Sequence, residues 1–248
     1  MKKIVFPSLL AVCFTGLTAC LKEKPRFTAV SVLGDRTETE FADTGFVRKN
    51  LPALATLIVP DTLNPGGDGG QISVSTLNDL SQNTPRIATL APDAGGALGP
   101  NPYLRKEDLA NFQVNLAEAL TVFRQASISD TRQSKIYQGL CNELTRLAAV
   151  SADRKIMVVY SDFLENSPLF TFYPLEKADF VKDPVQFTRS RLSKVCPLPN
   201  LAGIEIYLVA YRTVDNDEAV NVALRFWQTI LEHAGARVKT GVDLAAMK

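Results

Sequence analysis

Histidine is almost absent from this chain of 248 residues, since His233 is the only one. His233 falls in the last turn of a predicted helix, where a partial positive charge suits the helix dipole. A Ser-His-Asp or Cys-His catalytic system would need this one side chain to reach a distant cluster of strand ends. The sequence therefore argues against nucleophilic catalysis of that kind.

The chain also lacks an excess of charge of either sign. Lys and Arg total 27 against 26 Asp and Glu, and no long run of one sign occurs. Proteins that bind nucleic acids usually carry a basic patch or stripe, so this balance argues against a nucleic-acid partner. Internal repeats and low-complexity tracts are absent as well. The length suits one generous domain or two small ones.

Long apolar runs are confined to the N-terminus. Lys2 and Lys3 precede an apolar stretch over 4–17 that is too short to span a membrane and has the layout of a secretory signal. The stretch leads into Leu17-Thr18-Ala19-Cys20, which resembles the lipobox of bacterial lipoproteins. The resemblance implies that residues 1–19 are a signal peptide and that Cys20 becomes the lipid-modified first residue.

The lipobox resemblance also implies a location. Residues 20–27 would form a short lipidated tether, and acyl chains such as palmitate would anchor it at about 0.8 kcal/mol per buried CH₂. Leu21, and not Asp, follows the cysteine, which in the sorting pattern of this family points to the outer membrane of a bacterial envelope. No membrane-spanning helix is predicted after residue 20.

Cysteines are few, and two remain once Cys13 and Cys20 are assigned to the signal and the anchor. Cys141 and Cys196 form an even pair in an exported protein, where disulfides are common. A bridge over so long a loop would stabilise the fold by roughly 4 kcal/mol in the chain-entropy model. Cys141 lies on the apolar side of a predicted helix, however, where a buried free thiol is also common. The sequence leaves both possibilities open.

Short apolar strands alternate with amphipathic helices along the rest of the chain. Strands are predicted over 28–34, 71–77, 85–90, 155–161 and 204–210, and helices over 41–59, 106–126, 134–147 and from a cap at 215–217 to Gly235. This alternation predicts an α/β fold, a doubly wound and mostly parallel sheet with helices on both faces.

Two segments do not follow either period. The glycine-rich segment 61–70 is interpreted as a flexible connection, because no Lys-Ser or Lys-Thr pair of a phosphate-binding loop follows it. Residues 163–200 contain many phenylalanines without a sustained period. A long loop at the ligand-binding end of a sheet is a candidate recognition surface. The alternative is that its aromatic side chains pack inward as a small subdomain.

Two of the predicted strands end at an acid. Asp35 follows the first strand, with Thr37 and Thr39 at alternate positions after it, and Asp162 follows the strand over 155–161. The carboxyl ends of parallel strands lie at the edge where open α/β sheets bind ligands, so we expect the two acids to lie close together. Carboxylates and hydroxyls without a nearby His or Cys suit Mg²⁺. The alternative is that each acid only caps a turn or a helix.

These segments resemble three motifs of von Willebrand factor A-type (vWA) domains. Asp35-Arg-Thr-Glu-Thr39 resembles the Asp-x-Ser-x-Ser signature, with Thr in place of Ser, and Tyr160-Ser-Asp162 resembles the later strand end that carries a second acid. The segment 133–140 is similar to the one that supplies a third hydroxyl, here Ser134, with Thr131 as a possible substitute.

The resemblance implies a Rossmann-like vWA fold in a single domain over 28–240, with the aromatic-rich segment 163–200 as an insertion. It also implies a metal-ion-dependent adhesion site (MIDAS). In such a site Thr37, Thr39 and Ser134 would bind Mg²⁺, or another divalent cation such as Mn²⁺ or Ca²⁺, while Asp35 and Asp162 hold its waters.

The function implied is binding and not catalysis. An acidic residue of a protein partner would complete the metal shell of the lipid-anchored domain. Two alternatives stay open at this point. One is a metal-dependent hydrolase in which Asp35, Asp162 and Glu165 hold the cation. The other is a degenerate vWA scaffold that keeps the fold without the metal.

Overall fold

A six-stranded sheet organises the part of the chain that the structure describes. The computed structural model covers residues 24–35, 45–61, 66–77, 84–95, 101–125, 133–175 and 179–248. Its strands are β1 (Phe27–Gly34), β2 (Gly69–Thr76), β3 (Arg86–Leu90), β4 (Arg154–Ser161), β5 (Ile204–Ala210) and β6 (Arg237–Gly241). Its helices are α1 (Gly45–Ile58), α2 (Pro102–Gln125), α3 (Ile136–Ala149), α4 (Pro184–Ser190), α5 (Asp217–His233) and α6 (Leu244–Met247).

The strand order in the sheet is β3-β2-β1-β4-β5-β6. β3 pairs antiparallel with β2, and all other neighbours are parallel. The order reverses between β1 and β4, which is the switch point where doubly wound sheets leave a crevice at the carboxyl ends of the strands. The predicted α/β class with a mostly parallel sheet is confirmed.

Helices cover both faces of the sheet, so the central strands β1, β2 and β4 are buried at most of their positions. On one face, α3 and α5 pack against side chains such as Ala29 and Leu33 of β1. On the other face, α1 and α2 pack against Val30 and Val32 of the same strand, together with Leu244 of α6. Within the described residues no helix is long and apolar enough to cross a membrane.

A buried polar network holds α3 against the sheet. Ser31 of β1 donates to Glu143 of α3, and Arg146 of α3 pairs with Glu143 and donates to Ser73 of β2. Glu143 is buried, and a buried carboxylate without a cationic partner would be costly, so the pairing with the partly exposed Arg146 is favourable. The network sets the position of α3 along β1 and β2.

The ends of several elements differ from the predictions for local reasons. Gly69 and Gly70 belong to β2 and not to a loop, and a Cβ on Gly70 would collide with the carbonyl oxygen of Thr28 on the paired strand. α2 begins at Pro102, because proline is favoured at the first helical position. The predicted cap of α5 over 215–217 is centred on Asn216, whose side chain makes no capping bond to the helix. Strand β6 and helix α6 have no counterpart in the predictions.

The aromatic side chains of the segment 163–200 pack mostly inward. Phe170 lies 5.0 Å from Phe180 and 5.6 Å from Phe226 of α5, measured between ring centroids. A disulfide between Cys141 of α3 and Cys196, with their Cα atoms 6.2 Å apart, ties this segment to the domain. The segment is therefore a packed lobe. The sequence left open whether Cys141 and Cys196 are bridged or free, and in the structure they are bridged.

Candidate functional site at the carboxyl edge of the sheet

Asp35 and Asp162 follow neighbouring strands at the switch point of the sheet. Gly34, the last residue of β1, pairs with Tyr160 of β4, and the amide of Asp35 donates to the carbonyl of Tyr160 at 2.8 Å. The two acids therefore emerge side by side at the same edge. Both are buried, with 0% of Asp35 and 7% of Asp162 exposed.

The hydroxyl of Ser161 lies between the two carboxylates. Its Oγ is 3.1 Å from Oδ2 of Asp35 and 3.5 Å from Oδ1 of Asp162. Only one hydroxyl group thus separates the acids. The sequence prediction missed this role of Ser161. A signal was available, because a serine hydroxyl at the end of a strand can accept from the amide two residues later and so form a turn.

The backbone after Ser161 turns sharply and holds Asp162 in place. Oγ of Ser161 accepts from the amide of Phe163, and Oδ1 of Asp162 accepts from the amide of Leu164, both at 2.9 Å. Phe163 has a φ of 64°, which is rare for a bulky residue. The indole of Trp227 donates to the carbonyl of Phe163 at 2.8 Å and so anchors this turn.

Ser134 reaches the same point from a third part of the chain. Its hydroxyl donates to Oδ2 of Asp35 at 2.5 Å, and 6% of the residue is exposed. Two backbone hydrogen bonds of 3.1 and 3.0 Å pair Ser134 with Asn166, which follows β4. The start of α3 is thereby tied to both acidic strand ends.

Glu165 sits beneath this cluster with none of its surface exposed. Its Oε2 accepts from the amide of Tyr137 at 2.8 Å, so it serves as an N-terminal cap for α3 from outside the helix. Burial raises the pKa of Glu165 to about 7, and the charge of Asp35 adds to this effect, while nearby hydrogen-bond donors oppose it. Its other oxygen, Oε1, has no hydrogen-bond partner of ordinary geometry in the described part of the chain.

The other predicted site residues fall outside the described residues. These are Thr37, Thr39 and Cys20, together with Thr131, the possible substitute for Ser134. The structure thus brings together Asp35, Ser134 and Asp162 of the predicted metal-binding set. His233 ends α5, which runs back from the carboxyl end of β5, so this histidine lies at the opposite edge of the sheet from the acids.

The chemistry of the cluster is that of hard oxygen donors. Carboxylates from Asp35 and Asp162 lie beside the hydroxyls of Ser134 and Ser161, a donor set of the kind that Mg²⁺ prefers. No group of three or more His, Cys, Asp or Glu side chains in the described ranges is arranged to hold a metal ion. A cation at this edge would therefore need hydroxyl groups and waters as well as the two acids.

Comparisons with known proteins find similarity of fold only. No family profile and no curated protein matches the chain. It is similar to the vWF domain of the type V pili tip protein Mfa5 from Porphyromonas gingivalis, with 11% identity, a TM-score of 0.45, and coverage of 88% of this chain and 90% of that one.

Two further solved structures have lower TM-scores. The conserved hypothetical protein BatB from Bacteroides thetaiotaomicron has 12% identity and a TM-score of 0.36, with coverage of 87% of this chain and 90% of that one. An aerotolerance-related membrane protein from Bacteroides fragilis has 11% identity and a TM-score of 0.32, with coverage of 86% and 90%. Such likenesses assign neither a family nor an activity, so the function is inferred from the geometry of the site itself.

Proposed function

We propose that this protein is a lipoprotein of the bacterial envelope whose vWA-like domain binds a protein partner through a divalent cation. The observation that carries the proposal is that the hydroxyls of Ser134 and Ser161 both contact Asp35, while Ser161 also lies 3.5 Å from Asp162, at the switch point of the sheet. Four oxygen-bearing side chains from three parts of the chain thus meet where this fold class binds ligands. If Asp35 and Asp162 only capped turns, a contact between Ser134 and Asp35 would not be needed.

The hydroxyl and carboxylate residues of the site would have different roles in binding the cation. Ser134 and the threonines at 37 and 39 would supply neutral hydroxyl oxygens, while Asp35 and Asp162 would supply charge and hold waters. Bound Mg²⁺ would supply a fixed positive charge able to accept a carboxylate from the partner. Because two acids are buried within one hydroxyl of each other, a cation would also relieve their mutual repulsion.

Thermal stability with and without metal tests the proposal. A cation that binds only the folded state at a hundred times its Kd stabilises by about 2.7 kcal/mol, or roughly 5 to 10 °C in a domain of this size. We expect this rise in melting temperature with Mg²⁺ for the wild type and its loss in Asp35→Ala and Asp162→Ala. Asp215→Ala, an exposed acid in the loop after β5, is the matched control and should keep the rise.

A metal-free scaffold is the second candidate, and one observation favours it. Ser134 and Ser161 both donate to Oδ2 of Asp35, so the polar groups of the site also satisfy one another without a cation. If Mg²⁺, Mn²⁺ and Ca²⁺ all leave the melting temperature of the wild type unchanged, the protein is a metal-free scaffold and the proposal of metal-dependent binding is wrong. The hydrolase alternative, in which Asp35 and Asp162 hold the cation, gains no comparable support from Glu165, since Oε2 of Glu165 already accepts from the amide of Tyr137.

Membrane attachment through Cys20 is a separate part of the proposal with its own test. Cells grown with labelled palmitate should yield labelled protein from the wild type and unlabelled protein from Cys20→Ser, because the thiol that would carry the acyl chains is lost. Cys13→Ser, a change within the predicted signal, is the control and should keep the label. Absence of label in the wild type, or label retained in Cys20→Ser, would contradict the lipid anchor.

A further inference from the structure

A second cleft lies far from the acidic cluster. It has a volume of about 380 Å³ and is bounded by α4, the loop after Leu192–Lys194 and the C-terminal end of α5. Because α5 has 17 residues and runs away from the carboxyl edge, its end lies about 25 Å from that edge. The volume falls within the range of sites for small organic ligands, roughly 300 to 1,000 Å³.

The polar side chains of this cleft are mainly donors. Arg189 and His233 bring N–H groups, and no acidic residue is among its described lining residues. Oδ1 of Asn200 already accepts from the amide of Ala202 at 3.0 Å, which leaves the NH₂ group of Asn200 to donate. The site is therefore suited to an anionic acceptor.

One of these donors carries a charge that no described residue neutralises. Arg189 is exposed and forms no ion pair with a described residue. Its guanidinium can therefore pair with a carboxylate in the cleft, and a hydrogen bond between two such charged groups is stronger than one between neutral groups.

The rest of the wall is apolar and firmly held. Val185, Leu198 and Ile230 line the cleft together with prolines at 197 and 199. The disulfide at Cys196 directly precedes this wall, and the hydroxyl of Tyr137 donates to the carbonyl of Cys196 at 2.7 Å. A wall fixed in this way loses little conformational entropy when a ligand binds.

We propose that this cleft binds a small amphipathic carboxylate. Its carboxylate would pair with Arg189 and His233, and its apolar chain would lie along Val185 and Leu198, which are both partly exposed. This site is distinct from the acidic cluster, because it prefers an anion and lies at the other edge of the sheet.

Calorimetric titration of the purified protein with three probes tests the proposal. Octanoate has both a negative charge and an apolar chain. Octan-1-ol has the apolar chain without the charge, and inorganic phosphate has negative charge without a chain. We expect octanoate to bind more tightly than either of the others. Arg189→Gln should weaken octanoate binding about tenfold, since a charge-assisted hydrogen bond is lost, and His233→Gln should weaken it to a smaller extent.

Arg225→Gln is the matched control, because Arg225 is an exposed arginine of α5 that does not line the cleft. Its affinity for octanoate should equal that of the wild type. The melting temperatures of the two arginine variants should agree with that of the wild type, since both arginines are exposed. Absence of octanoate binding at millimolar concentration, equal binding of octan-1-ol or phosphate, or equal affinity of Arg189→Gln and the wild type would overturn the proposal.

Discussion

The hydroxyl of Ser134 donates to Oδ2 of Asp35 at 2.5 Å, although 99 positions separate these residues in the sequence. This contact joins the segment before α3 to the end of β1. Since Ser161 donates to the same oxygen, the carboxylate of Asp35 is the centre of the site. Substitutions around it should therefore affect both the stability of the fold and any response to metal.

Ser134→Ala should destabilise the protein, because a buried carboxylate loses a hydrogen-bond donor. Hydrogen bonds to charged groups contribute about 1.5 to 3 kcal/mol, so we expect a fall of that size in the free energy of unfolding by urea. Ser151→Ala, at an exposed serine, should change it by less than about 0.5 kcal/mol. Equal stability of the two variants would show that the Ser134 contact contributes nothing.

Glu165→Gln should change how stability depends on pH. The folded-state pKa of Glu165 is raised from 4.5 to about 7. The folded protein therefore binds this proton more tightly than the unfolded chain does. The resulting contribution to the free energy of unfolding is fully present below about pH 4.5 and is lost as the pH rises through about 7, a change of about 3 kcal/mol. Urea unfolding from pH 4 to 8 should show this loss in the wild type and a flatter curve in the variant.

The control for this pH series is Glu118→Gln, at an exposed position in the middle of α2. Its curve should run parallel to that of the wild type, because this substitution leaves Glu165 and its burial unchanged. A Glu165→Gln curve that also runs parallel would mean that the burial of Glu165 has no effect on stability in this range.

Removal of the disulfide, which ties the lobe over 163–200 to α3, should lower the free energy of unfolding of the protein. The double variant Cys141→Ser, Cys196→Ser should lose about 2 to 5 kcal/mol of unfolding free energy, because the loop over 55 positions is no longer closed in the unfolded chain. Reduction of the wild type should have the same effect. A melting temperature that is the same before and after reduction, with both thiols titrated, would contradict this expectation.

Arg105 of α2 should be sensitive to substitution. It is 2% exposed, and its guanidinium donates to the backbone carbonyls of Ala91 at 2.7 Å, Gly66 at 3.0 Å, and Asp68. Arg105→Met would leave these acceptors without donors, so we expect a loss of about 3 kcal/mol or more. Arg105→Lys should recover only part of it, because an ammonium lacks the planar fork. Similar urea midpoints for wild type and Arg105→Met would contradict this role.

Local patterns were enough to predict the central elements. The apolar run that becomes β5 and the amphipathic helix closed by Gly235 are visible in the sequence because their side-chain periods match the geometry of strand and helix. β6 was not predicted, because Arg237, Lys239 and Thr240 make it polar and it belongs to the sheet only through its pairing with β5.

Long-range contacts decided the details of the candidate site. Asp35 and Asp162 could be foreseen as neighbours, since both follow strands of one parallel sheet. The part played by Ser161 depends on a turn at Phe163 that Trp227 holds from a different helix. The role of Glu165 as a cap of α3, through the hydrogen bond that Oε2 accepts from the amide of Tyr137, is visible only in the structure.

The sequence alone determined the fold class, the sheet edge where acids and hydroxyls collect and the resemblance to a lipid-anchored vWA domain, because these depend on side-chain periods and short motifs. Only the tertiary structure decided that Cys141 meets Cys196, that the phenylalanines of the lobe turn inward, and that Ser134 reaches Asp35. Each of these depends on how α3 and the lobe pack against the sheet, and packing between distant segments leaves no periodic signal in a single chain.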